Sequence, residues 1–577
     1  MKKSRFQLAL ILFFYSIVSL SAKSGNSTQV IKSGHWVYSA LYSISSEVKS
    51  SYFLSNQPLS IGELKFYLKD IPYENLSEPG QRTYDKIQSF LNKNDDFFTE
   101  QDLRFFINVQ VNPEFYYKTN PDIKWSFAYN YKDFALNIPL IIGFSDYFTI
   151  EPDFFIGKNF YGASLPDNFT NIPLSGSQFE FLIPRFAYGS TGLYFENWGV
   201  NFHIGKEGLK TGESILGSII YNDTFETDCY AQLNLYTKWL KYTMDVVQVD
   251  NSKFFYLHQL DIRLLRNLRF GMIEGSLLNS DFELRYLNPF MLMHQFGSWN
   301  DYRSQLTEVE WEKYGEGRFC AYLAFTLEWI PFKNLRFYGL YSQNEILDLG
   351  GSRADSALSV PDSLGGQLGC EFDIPLKNGY LKNWIEGVYT SPYLYVKQSP
   401  DWSLYRSRTD MQAPSEKNAV ASWMGSPFGP DCFAVTFKSS YEPFEKWKLG
   451  AGYLFKIHGE NTAEKLFDAS AYKKNYGTDE NPDWIWTYYP RTKYGLAEDA
   501  NNDEEKIAAR DEGRNMWMSG VREYTHQISV NANYDLLDNL SFYGQIVYTF
   551  VINNNNIQNN FAHGAEFTLA LSYNVLK

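Results

Sequence analysis

The stretch YTHQISVNANYD, residues 524–535, alternates between two kinds of side chain without a break. Tyr524, His526, Ile528, Val530, Ala532 and Tyr534 fall on one face, and Thr525, Gln527, Ser529, Asn531, Asn533 and Asp535 on the other. A period of two marks a β-strand. A tilted strand needs about ten residues to cross a bilayer, whereas an ordinary globular strand has about five or six. The same long alternation returns in FCAYLAFTLEW at 319–329, WKLGAGYLFKI at 447–457, FYGQIVYTFVI at 542–552 and FTLALSYNV at 567–575. Its repetition predicts an all-β transmembrane barrel of antiparallel strands. Residues 103–577, at about 25 residues per strand and connection, make room for about 16 to 20 strands.

Composition agrees with this architecture. Mean hydropathy is −0.35, yet 18% of residues are aromatic, with 46 Phe and 43 Tyr. Barrels produce this mixture by turning a polar face to the lumen, an apolar face to lipid and aromatic girdles to both interfaces. A net charge of −14 argues against a nucleic-acid partner. The first residues read as a secretory signal peptide: Lys2, Lys3 and Arg5, an apolar run, then small residues at Ser19, Ser21 and Ala22. Cleavage is expected near Ala22, followed by export to the outer membrane and insertion by the barrel-assembly machinery. Cys229, Cys320, Cys370 and Cys432 have neither disulfide-scaffold nor metal-ligand spacing, and no function is assigned to them.

Between the signal and the barrel, residues 23–102 read differently. Trp36, Ala40 and Ile44 recur at helical spacing, and Leu64, Tyr67 and Leu68 share a face after Ser60. Two or three short amphipathic helices are expected over 33–95, in the periplasm or packed at the barrel's mouth. Two long polar connections, at 397–431 and roughly 458–520, are expected outside the cell, because outer loops are the long ones. The acidic cluster at Asp503, Glu504 and Glu505 lacks the spacing of a calcium loop and is expected to be a solvated loop. No phosphate loop, nucleophile elbow or HExxH is present, and no enzyme, cofactor or metal is expected.

Several segments resemble the Wzi family of bacterial capsule-assembly proteins: HWVYSALYSIS and QPLSIGELKFYL near the start, FFYLHQLDIRLLRNLRFGMIEGSLL, RYLNPFMLMHQ with a downstream Asn300, and GSPFGPD before a strand. The resemblance implies an outer-membrane barrel of about 18 strands with a periplasmic helical bundle, an occluded lumen and a lectin-like role in holding surface polysaccharide.

Sugar binding calls for aromatic rings and hydrogen-bonding side chains. Trp402, Tyr405, Arg406, Arg408, Trp423, Trp484, Trp486, Tyr488 and Arg491, in or beside the two long connections, are the candidate glycan contacts. The segment around 286–294 is apolar on both faces, so Pro289, Met291, Met293 and His294 are expected to pack against an element folded into the lumen. A diffusion porin or substrate channel is the alternative, with Gln527, Ser529 and Asn531 as pore wall.

Overall fold

The computed structural model describes residues 26–93, 98–100, 103–123, 134–157, 168–174, 180–223, 228–250, 252–290, 293, 319–345, 363–396, 403–413, 416–444, 446–460, 471–475, 478, 480, 484–488, 518 and 520–576. Alternation becomes a single antiparallel sheet closed on itself as an 18-strand barrel of the outer-membrane kind. Strand β1 is broken into Leu103–Ile107, Gln110–Val111 and Glu114–Lys118. It is followed by β2 (Leu136–Phe144), β3 (Phe148–Gly157), β4 (Glu180–Tyr194), β5 (Trp198–Glu207), β6 (Asp228–Thr237), β7 (Leu240–Asp250), β8 (Lys253–Leu265) and β9 (Leu268–Leu278). The second half comprises β10 (Phe319–Phe332), β11 (Leu335–Glu345), β12 (Ser363–Leu376), β13 (Gly379–Thr390), β14 (Cys432–Pro443), β15 (Trp447–His458), β16 (Glu523–Leu537), β17 (Leu540–Ile552) and β18 (Phe561–Asn574). Closure comes from β18 pairing with β1, with Tyr573 opposite Val111 and Glu566 opposite Lys118.

Closure leaves no edge whose backbone groups would face lipid unpaired. Lipid-facing and lumen-facing side chains then separate by parity. On β8, Leu260 and Leu264 are exposed while Gln259, Asp261 and Arg263 are buried. On β16, Ile528, Val530 and Tyr534 lie outside, as the alternation predicts, and Thr525 and Gln527 are buried inside. Apart from the connection between β7 and β8, the short turns (β2–β3, β4–β5, β6–β7, β8–β9, β10–β11, β12–β13, β14–β15 and β16–β17) lie at one end. Between β10 and β11 only Lys333 and Asn334 turn the chain, and Asn334 takes the left-handed φ of 63° that such a turn asks of it. Phe195, Trp198, Trp239, Trp329 and Phe332 are exposed beside these turns and form part of an aromatic girdle.

The N-terminal helices are present as expected: α1 (Trp36–Glu47), α2 (Ile61–Lys69) and α3 (Glu78–Asn92). Ser60 caps α2, its Oγ accepting from the Glu63 N–H, and Ser77 caps α3 in the same way. Their common core includes Val37, Leu41, Ile44, Leu64, Ile87 and Leu91. The bundle closes the short-turn mouth. Ser51 N–H donates to the Arg266 carbonyl at 2.9 Å, and Asn334 N–H donates to the Ser46 carbonyl at 3.1 Å, both at short turns.

Because Ala532 is exposed on the lipid face about 13 Å above Leu537 at the short turn, Ala532→Arg should cost roughly 2–4 kcal/mol, and Asn531→Arg on the lumen side much less. Urea titrations of the refolded barrel, followed by its heat-sensitive gel mobility, measure both.

Candidate functional site

A barrel of this size has a polar inner wall, and anything that fills it has to meet that polarity group by group. The helical plug does so along most of its contact with the wall. Gly62 lets α2 lie close against β4, since a Cβ there would sit 2.4 Å from the Tyr194 ring. One residue on, Glu63 reaches across to β7 and pairs with Lys241 at 2.6 Å, with neither side chain exposed at all. Tyr67 Oη and Asn201 Nδ2 also donate to the Glu63 carboxylate, at 2.8 and 3.1 Å. At the end of α2, Asp70 bridges Lys238 at 2.8 Å and Arg263 at 3.3 Å. Burial works to raise the Asp70 carboxyl, but hydrogen bonds and charge from Lys238 and Arg263 outweigh it and hold it below the ordinary value.

Further round the wall, Arg336 lies over the Tyr42 ring at 3.8 Å and donates to Glu371 and Glu328. Ser51 also donates to Glu328, while Arg269 bonds Ser55 and Asp261. Lys382 donates to Ser39 Oγ at 2.7 Å, and Lys32 pairs with Asp153 at 2.6 Å. The ties therefore run from β3 round to β13.

A second filler enters from the long-loop end. After β5 the chain turns inward over 208–223, and Lys210 and Thr211 pair with Gln57 and Asn56 of the plug. Tyr322 and Tyr395 donate to the Ile219 carbonyl at 2.9 and 2.7 Å, and Glu386 accepts from the Ile215 and Leu216 N–H groups. A third filler is the start and end of the 391–431 connection, whose Asn222–Met424 backbone bond of 3.0 Å joins it to the second. One apolar cluster unites these segments, through Leu216, Ile220, Leu394, Met424 and Phe428, with inward side chains of strands from β6 to β15. Along β14 to β16 the short-turn half of the lumen stays accessible at Lys438, Ser529, Asn531 and Asn533. Higher up it ends against the buried Leu454, Gln527, Val547 and Thr549.

Two hairpins stand on the long-loop end. In the first, Tyr405–Ala413 pairs with Glu416–Trp423, and in the second, Ala471–Asn475 pairs with Trp484–Tyr488. At the root of the first, Tyr405 faces Trp423 across the ladder, with ring centroids 4.8 Å apart. Trp423 is 8% exposed and Arg406 only 1%, so both pack at the hairpin base, and Tyr405 alone of the three is partly accessible. Trp484, Trp486 and Tyr488 occupy alternate positions of the second hairpin, in register with Asn475, Lys473 and Ala471. Trp402 and Arg491 lie outside the described residues, as do Asp503, Glu504 and Glu505. No cluster of metal-ligating side chains occurs among the described residues.

The expectation for 286–294 needs correction. Leu284–Leu287 is a 3₁₀ turn, not a strand, and it folds against the outside of the wall. Tyr286 and Met293 are buried on Val246, Tyr256 and Leu278, which have the lipid-facing parity of β7, β8 and β9. Pro289 is exposed, while Met291 and His294 lie outside the described residues. An apolar pattern on both faces reveals that a segment is covered twice, but not which side of the barrel covers it. The filler that sequence reading missed, 208–223, carried one signal: polar residues such as Gln367 and Glu386 at lumen parity inside otherwise regular strands, which bond Ser214, Ile215, Leu216 and Ile219.

Among solved structures, Wzi of Escherichia coli, an outer-membrane protein involved in group 1 capsule assembly and described as a carbohydrate-binding β-barrel, matches 94% of this chain and 98% of its own. The TM-score is 0.53 at 12% identity, a likeness of fold. Pseudomonas aeruginosa OprD matches 82% of this chain and 95% of its own, with a TM-score of 0.38 and 9% identity. A BenF-like porin from Pseudomonas fluorescens matches 82% and 98%, with a TM-score of 0.36 and 7% identity. No family model and no curated protein matches the chain.

Removing one member of the Glu63–Lys241 pair strands a buried charge, at a cost of roughly 3–5 kcal/mol. Lys241→Met should therefore expose the plug to trypsin in the folded barrel, and Glu63→Leu with Lys241→Met should restore much of the protection.

A pH effect follows from His35, which caps α1 through Nδ1 and stacks on Phe90 at 5.0 Å. Burial pushes its pKa from 6.5 down to about 4. A lowered value favours the docked plug above pH 6.5, and the contribution is lost as pH falls from 6.5 through 4. Proteolytic protection of the plug should weaken over that window, and less so in His35→Asn, which keeps a capping acceptor without titrating there.

Proposed function

We propose that this protein is an outer-membrane barrel that holds surface polysaccharide, capsular or other, at the cell face, with its lumen acting as a filled support. The observation that carries the reading is the lumen itself: a plug and two inward segments are bonded to the wall and to each other where a general porin keeps water. The short-turn end, with the plug, is assigned to the periplasm and the two hairpins to the outside, the arrangement bacterial barrels adopt. The description of Wzi as carbohydrate-binding, over nearly the whole of both chains, supports the same reading.

The hairpins supply the chemistry that a glycan needs. Tyr405, Trp484, Trp486 and Tyr488 bring aromatic rings for stacking, and Trp402, Arg408 and Arg491 belong to the same connections. Each such contact is worth about 1 kcal/mol net. Retention then depends on many weak contacts along one repeating polymer, and binding falls steeply when a cluster is lost.

A substrate channel is the second reading, and the accessible polar crevice at Lys438, Ser529, Asn531 and Asn533 favours it. Joint replacement of Trp484, Trp486 and Tyr488 by Ala separates the two. Polysaccharide shed into the medium should rise several-fold, while the barrel still shows its heat-sensitive mobility and small-solute permeability stays unchanged. Unchanged retention together with altered permeability would favour the channel.

A further inference from the structure

The segment that folds back onto the outer wall has a role that the filled lumen does not explain. Its fixation is specific. The Glu283 N–H donates to Tyr256 Oη at 2.9 Å, and His258 Nε2 bonds the Tyr286 carbonyl at 2.8 Å. Tyr256 and Tyr286 rings lie 5.2 Å apart, and both side chains are fully buried. Phe254 and Phe282 extend the contact at 6.0 Å. Tyr256 and His258 have the same parity on β8 as Leu260 and Leu264, which face lipid. The segment thus covers wall that would otherwise be lipid-facing.

Its height follows from strand geometry. From Leu265, at the short turn, up to His258 the strand rises about 3.3 Å per residue at a tilt of about 40°, or roughly 18 Å along the membrane normal. An apolar belt about 25 Å tall includes that level. The outer side of the segment is apolar in turn: Phe282 is 51% exposed, Leu284 74% and Phe290 94%. Its central charges are paired with each other, Arg285 Nε donating to Glu283 Oε2 at 2.6 Å, which lowers the cost of holding them near the interface.

We infer that residues 282–290 form a collar on the barrel's outer wall whose exposed side, Phe282, Leu284 and Phe290, takes the acyl chains of outer-leaflet lipid. The collar continues the lipid belt of β7 to β9 outward by one layer. Tyr256 and His258, which could not face acyl chains with their polar atoms unmet, are instead bonded to the collar's backbone.

Site-specific photo-crosslinking of the full-length folded barrel tests this. Benzoylphenylalanine is placed singly at Leu284, Phe290, Leu260 as a belt control and Gln558 as a water-exposed loop control, in vesicles of dimyristoylphosphatidylcholine. Heat-sensitive gel mobility shows which variants are folded, and all four sites are at the surface. Lipid adducts at 284 and 290 within about twofold of the 260 yield, with none at 558, are expected. Absence of lipid adducts at 284 and 290 alongside a strong adduct at 260 would overturn the collar. So would adducts joining two copies of the chain, which would make this face a subunit interface.

Discussion

Polar groups turned into a closed barrel must be met by water or by protein, and among the described residues protein meets many of them. The Glu63–Lys241 pair shows the constraint in its sharpest form, with both charges removed from solvent and two further donors on the carboxylate. An isolated charge in that position would cost several kcal/mol, so neither partner is tolerable without the other. Arg336 with Glu371 and Glu328, and Arg269 with Asp261, are buried pairs between neighbouring strands of the wall, and the plug meets them through Tyr42, Ser51 and Ser55. The plug is held by complementarity of charge and hydrogen bonding more than by apolar contact. The apolar cluster lies higher, where 208–223 and the 391–431 connection meet the wall.

The wall was legible in the sequence because its rule is local. Parity on the 524–534 strand follows from sterics and lipid alone, and the structure puts Ile528 and Val530 outside and Thr525 and Gln527 inside as the alternation requires. Strand number and the helical character of the N-terminal segment followed from equally local arithmetic. The fillers were not legible, because the partner of a lumen-facing charge is chosen by the fold and not by its neighbours. Lys241 lies 178 residues from Glu63, and nothing in either local sequence names the other.

Residues 286–294 show the same limit from another side. Their apolar character on both faces was read as inner packing, and the structure places Tyr286 and Met293 against the outer wall. Sequence pattern gives the extent of burial but carries no sign for inside or outside. Among the candidate glycan contacts, Arg406 and Trp423 turn out to be packing residues, since a hairpin root needs buried aromatic and charged groups as much as a binding surface does. Tyr405 remains partly accessible, and the Trp484–Tyr488 strand stands on the outer hairpin.

A filled lumen and an open pore differ most in the passage of ions. Single-channel recording of the wild-type refolded protein in a planar bilayer compares them directly. No steady conductance above the bare membrane is expected, because the crevice beside Ser529 and Asn531 ends at Leu454, Gln527, Val547 and Thr549. A stable, long-lived open level in the wild-type chain would contradict the filled lumen and with it the proposed support for surface polysaccharide.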